Sequence, residues 1–282
     1  MSSQVAVVTD STAYLPPGVG AQLGVGEVPL HVVLGGRSGA ETVEISPAQV
    51  ASALSERRVS VSTSRPTPAE FVEAYRRAGT SHVVSVHLSA SLSGTFEAAQ
   101  FAAQEVAGEG IEVRVVDSQR LAMGLGFAVI AASRAAAGGA DVDEVEKAAK
   151  AAAAATDMLF YVDTLEHLRR GGRIGAAAAL LGTALAVKPL LHVVDGSIAP
   201  LEKVRTASKA LARLEELAVE RAGDRLVDLA VHHLASPDKA TALAERLRAR
   251  LPQLGELHLS EVGAVVGAHV GPGLLGVVIS RR

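Results

Sequence analysis

The sequence contains no cysteine, which excludes disulfides, iron–sulfur clusters and thiolate zinc sites. It has no G-x-x-x-x-G-K-[ST] phosphate loop, no G-x-S-x-G nucleophile elbow and no H-E-x-x-H metal helix. The segment Ser91-Leu92-Ser93-Gly94-Thr95 approaches the elbow but lacks its first glycine. Long apolar runs are absent too. The longest uncharged one, Ile174 to Val187, falls short of the roughly 20 residues a membrane span needs. The N-terminus shows no basic segment followed by an apolar core, so a soluble, cytoplasmic protein without a membrane span is expected. The net charge is only −3 and basic residues are scattered, which argues against nucleic acid as a partner. Arg246, Arg248 and Arg250 cluster late in a helical pattern, where they suit the negative end of the helix dipole.

What is present is an apolar chain, 49% hydrophobic over 282 residues, enough for a sizeable core in one large domain or two ordinary ones. Three segments share a plan. "VAVVTDST", "HVVSVHLSASLSGT" and "VRVVDSQ" each run from β-branched residues into Ser, Thr or Asp. Such runs suit strands buried on both faces of a parallel sheet, and polar groups at their carboxyl ends mark where open α/β sheets bind ligands. Ser46-Pro47-Ala48-Gln49 and Thr67-Pro68-Ala69-Glu70 read as capping boxes with proline in the first turn, and Asp141 opens a further, alanine-rich helix. Downstream, Asp195-Gly196 between apolar runs predicts a hairpin. "RLVDLAVHHL", a helix from Ser236-Pro237 to about Arg250, "ELHLSEV" and "LLGVVIS" then follow, the last two separated by a glycine-rich loop. The expected fold class is α/β with two domains. Residues 1–160 form a mainly parallel sheet flanked by helices, and residues 161–282 a smaller α+β domain.

Four features carry candidate chemistry. A helix starting near Gly94 leaves its first N–H groups unpaired; Ser93 is placed to cap one, Gly94 permits close approach, and the dipole favours a carboxylate or phosphate oxygen. The same residues equally suit an ordinary capped helix. Thr63 and Ser64 precede Arg65-Pro66 at a second hydroxyl-rich junction, which also reads as a simple turn. His269 lies among Gly263, Gly267, Gly271 and Gly273, where a histidine can donate to an anion. In "DTLEHLRRGGRIG", Leu165 and Leu168 are expected to pack with Arg169, Arg170 and Arg173 outside, and Gly171-Gly172 to end the helix. His232 and His233 are adjacent on a strand, face opposite sides and do not chelate one metal.

The order and spacing of "VVTDST", "TSRPTPAEF", "SLSGTFEAA", "VVDSQRLAMGLG", "LRRGGRI", "KPLL" and "AHVGPG" resemble the DegV family of bacterial fatty-acid-binding proteins over essentially the whole chain. The resemblance implies two domains with a long-chain fatty acid held in a tunnel between them and no catalytic residue or cofactor in the protein itself. It places the carboxylate on Thr63, Ser93, Gly94 and His269. It also implies that some members present that carboxylate to a separate fatty-acid kinase, with Arg173 and Arg205 serving docking or phosphate contact. A low aromatic content, 3%, leaves room for a narrow channel. Transient contact with a membrane is compatible with such cargo. Two other readings use the same residues. One is an enzyme acting on a small phosphorylated or carboxylated metabolite with His269 as general acid or base. The other is a ligand sensor whose arginine surface recruits another protein.

Overall fold

The structure is a computed structural model and describes residues 5–56, 59–180 and 188–282. The chain divides into two compact units. The first comprises residues up to His31 together with Ser64–Ala154; the second comprises Val32–Thr63 and Ala155–Arg282.

In the first unit the β-branched runs form a four-stranded sheet in the order Gly26–Val28, Val5–Asp10, His82–His87, Glu112–Asp117. Every neighbouring pair is parallel, as near-continuous apolar strands require. The helices Pro68–Arg77 and Thr95–Ala107 pack Phe71, Tyr75, Ala98 and Ala102 onto Val8, Val28 and Val83. The helices Met123–Ala137 and Val142–Ala154 also pack on the strands. Thr67 forms a complete capping box with Glu70, and Asp141 and Glu144 bond each other's backbone N–H at the N-terminus of Val142–Ala154.

The second unit holds a six-stranded sheet in the order Ser197–Val204, Lys188–Val194, Thr156–Tyr161, Leu275–Arg281, Val227–His233, Leu254–Glu261. Only the last pair is parallel. The expected hairpin is present: Val194 pairs with Ser197 across Asp195 and Gly196, both at positive φ. The helices Ala207–Ala222 and Pro237–Arg250 cover the sheet with Leu214, Leu217, Leu243 and Leu247. Arg246 and Arg250 both reach the Glu215 carboxylate, so a specific ion pair and not the helix dipole alone holds them. Residues 31–64 add a small sheet, in the order Arg37–Ala40, His31–Leu34, Val61–Ser64, and the helix Pro47–Glu56.

The structure departs from the expected contiguous division at 160/161 in two ways. The junction lies at 154/155, where the alanine-rich helix ends before the strand Thr156–Tyr161. Residues 32–63 also join the downstream unit, because their helix Pro47–Glu56 packs on the helix Ala264–Val270. With that addition the second unit is no longer the smaller one. The supposed glycine-rich loop is itself the helix Ala264–Val270, capped by Gly271 at φ 76°. Among the described residues no helix is long and apolar enough to cross a membrane. The later part of the apolar stretch Ile174–Val187 lies outside the described residues.

Candidate functional site

In the second unit three short elements build a cleft of about 390 Å³. The strand Val61–Ser64 carries Thr63, the last turn of Ala264–Val270 carries His269, and the turn after Glu166–Arg170 carries Arg173. That turn forms as its glycines predict: Gly172 takes φ 72°, and the Arg173 N–H returns to the Leu168 carbonyl at 2.9 Å. Leu168 is buried, as expected. Arg169 and Arg170 are exposed and share Glu166; Arg173 is half-buried and lines the cleft together with Arg170.

Thr63 Oγ1 and His269 Nε2 share a hydrogen bond of 2.9 Å. Burial pushes the His269 imidazole down to about 4, and the nearby Arg173 charge adds to the effect. His269 is therefore neutral at physiological pH. Its Nδ1 is buried and has no hydrogen-bond partner among the described residues. Arg173 donates from Nη1 to the Gly171 carbonyl at 2.6 Å and supplies the positive charge beside the neutral pair. A neutral imidazole can donate from only one nitrogen. If Nε2 donates, the Thr63 hydroxyl accepts that proton and keeps its own hydrogen for an anion.

Glycines let these turns interlock. A Cβ on Gly171 would collide with the His269 ring at Nδ1, and a Cβ on Gly271 with the His167 ring. A Cβ on Gly273 would run into the Asp163 carboxylate. Asp163 is itself held by Tyr161 Oη at 2.5 Å and, through its backbone carbonyl, by Lys188 Nζ at 2.9 Å. Sequence reasoning missed His167, Ser60 and Ser62 as lining residues of this cleft. The L-x-x-G-G spacing was the available signal for His167, which sits one turn before the glycines.

The first unit carries the other two expected residues, Ser93 and Gly94. The helix there begins at Thr95 with Gly94 as its N-cap, and Ser93 Oγ accepts from Thr95 N at 3.3 Å and shares 2.8 Å with Thr95 Oγ1. The group that comes close to Gly94 is Arg65, whose guanidinium donates to the Gly94 carbonyl at 3.2 Å and to Glu97 at 2.5 Å. Gly94 is thus accounted for by a neighbouring side chain as well as by any ligand.

Below this turn the strand ends are fixed by a buried carboxylate. Asp10 accepts from Thr12 N at 3.1 Å, Thr12 Oγ1 at 2.5 Å and Leu88 N at 2.9 Å, and lies 3.1 Å from His87 Nδ1. His87 Nε2 meets Ser85 Oγ at 2.7 Å, which accepts from Tyr75 Oη at 2.9 Å. All four side chains are sealed from solvent. These buried side chains tie the ends of the strands Val5–Asp10 and His82–His87 together. Arg205 is exposed after the strand Ser197–Val204 and does not line the cleft. No group of three or more His, Asp or Glu among the described residues is arranged to hold a metal ion.

Comparison with known proteins identifies the family. The DegV family model matches residues 4–282. A DegV domain-containing protein of Streptomyces coelicolor is 60% identical over 285 aligned residues, with 100% of both chains covered. Among solved structures, a DegV family protein from Thermus thermophilus, described by its fatty-acid binding, superposes with a TM-score of 0.92 at 34% identity, covering 99% of each chain. DegV from Bacillus subtilis, described as a fatty acid binding protein, does so at 0.90 and 34%, again covering 99% of each. A family match over nearly the entire sequence, together with a relative 60% identical along the whole chain, shows that this chain belongs to the DegV family.

Proposed function

We propose that this protein binds a long-chain fatty acid, with the acyl chain in its interior and the carboxylate held by neutral donors at an opening. The observation that carries the reading is the Thr63–His269 pair, which is uncharged and lies beside Arg173. A carboxylate bound by a hydroxyl, with a cation nearby, keeps its charge compensated without being locked into a bidentate arginine clamp. Burial of the tail supplies the affinity, about 0.8 kcal/mol for each methylene removed from water. The fatty-acid binding described for the Thermus and Bacillus relatives supports the same reading. Ser93 and Gly94 are proposed as further carboxylate contacts, with a role separable from their local capping.

In the fuller form of the proposal, a separate fatty-acid kinase phosphorylates the exposed carboxylate. The resulting acyl phosphate stays bound, and Arg173 and Arg205 contact the kinase or the phosphate. The protein itself then needs no cofactor and performs no catalysis. The rival role of His269 as a general base is disfavoured by its environment, since a base held near 4 is weak at neutral pH.

Lipid extraction of the purified protein followed by mass spectrometry tests the binding. Long-chain fatty acid is expected in the extract, and its absence, together with no uptake of oleate, would defeat the reading. Adding ATP and a fatty-acid kinase, with hydroxylamine to trap acyl phosphate, tests the second step. A hydroxamate that forms only with all components present is expected.

A further inference from the structure

We infer that Glu41 is a positioning residue for His269, acting along the helix between them. This rests on the reading of His269 as part of the carboxylate site. Glu41 pairs with Ile45 in an isolated bridge just upstream of the helix Pro47–Glu56 and is fully buried. Its Oε2 accepts the backbone N–H of Val265 at 2.9 Å, across 224 residues of sequence. Helix Ala264–Val270 needs this acceptor. Its N-cap is Gly263, which has no side chain to offer its first turn.

The same upstream segment touches the helix at two further points. A Cβ on Gly267 would meet Val50 Cγ1 at 3.9 Å, and Thr63 holds the His269 ring at the far end. Glu41, Val50 and Thr63 thus bracket seven residues at their start, middle and finish. All residues of the helix but His269 are buried, so a rod of this length moves as one body. A slip at Val265 is delivered to the imidazole about one turn later. The Gly171 side leaves the ring no space to absorb it.

Reach and charge separate cleanly in this arrangement. Glu41→Gln keeps the length and an acceptor oxygen. Glu41→Asp keeps the charge but withdraws the oxygen by one methylene. The Val265 contact is therefore expected to survive in the glutamine variant and to lapse in the aspartate variant. Val265→Pro removes the same N–H from the other side, at the second position of the helix, where that N–H has no intrahelical partner to lose.

The experiment uses the full chain, ¹⁵N-labelled at histidine, with oleate as the probe ligand and a thermal melt as the fold control. In Glu41→Asp and Val265→Pro the His269 Nε2 resonance is expected to move away from its Thr63-bonded position. Oleate affinity is expected to drop roughly tenfold, the scale of one lost hydrogen bond. Glu41→Gln should leave both unchanged. Glutamine and aspartate variants that both match wild type at His269, or that perturb it equally, would overturn the inference. Should the aspartate variant fail to fold, the contrast between Glu41→Gln and Val265→Pro decides it. If wild type takes no oleate, the proposed function fails by itself, and the His269 resonance still reads the positioning.

Discussion

His167 and His269 each rest where the other's helix ends in glycine: the His269 ring against Gly171, the His167 ring against Gly271. Gly171 has φ −74°, a value alanine adopts freely, so only the collision opposes a side chain there. Gly171→Ala is therefore expected to cost about 1–3 kcal/mol through overpacking and to displace the His269 ring. Urea denaturation and the histidine NMR spectrum check both effects together. A variant as stable as wild type with an unmoved ring would contradict the interlock.

Thr63→Val replaces the hydroxyl by a methyl of similar size. It would leave both ring nitrogens of His269 without partners, at a cost of about 1–3 kcal/mol. Thr63→Ser should restore most of the loss. Oleate affinity is expected to follow the hydroxyl and not the side-chain volume, as a titration of the three proteins would show.

Gly94 provides a contrast with Gly171, because the atoms above it belong to the far end of a flexible arginine. In Gly94→Ala, Arg65 can swing away and give up an exposed pair with Glu97 that contributes about 0–1 kcal/mol. Stability should change by less than about 1 kcal/mol. Loss of oleate binding at near-constant melting temperature would then assign Gly94 to the ligand. Unchanged affinity would leave its small size explained by Arg65 alone.

Burial holds His269 and His232 at about 4 in the folded protein, below the ordinary value of 6.5. His192 and His233 are shifted in the same direction. The unfolded chain therefore binds more protons than the folded one between these values. Stability is full above about pH 6.5 and declines as the pH falls toward 4. At pH 5, His269→Gln should reduce the proton uptake on unfolding by about one. Melting temperatures measured from pH 7 to 4 give that slope, and an unaltered slope in the variant would refute the assignment.

Asp10 serves three donors and His87 in a sealed environment. Asp10→Ala leaves them unsatisfied and should cost about 3–5 kcal/mol, while Asp10→Asn, which keeps an acceptor oxygen, costs less. Urea midpoints of the two variants test the order. A smaller loss in the alanine variant would rule out the buried carboxylate as the tie between the two strand ends.

Features encoded in neighbouring residues were legible in the sequence. The Ser46 and Thr67 capping boxes, the Asp195-Gly196 hairpin and the Gly171-Gly172 stop each depend on a few adjacent side chains, and each forms as expected. The helix Ala264–Val270 was hidden for a physical reason. It is buried on nearly all sides, so it shows no amphipathic period, and its flanking glycines mimic a loop. Thr63 and His269 were both singled out, but their hydrogen bond crosses 206 residues and has no local signature. Membership of residues 32–63 in the second unit was likewise unreadable, because the helix they pack against is specified more than 200 residues later.

The six-stranded sheet places Leu275–Arg281 between Thr156–Tyr161 and Val227–His233, in its interior. During synthesis, everything this strand joins emerges from the ribosome earlier and waits with an open seam. The first unit, whose residues all precede 155, can reach its native state while the second is still missing its keystone. Translation that stalls after the first unit is complete but before residue 275 would therefore leave a half-finished product with one folded lobe and a sticky, unpaired sheet, a natural target for chaperones and proteases.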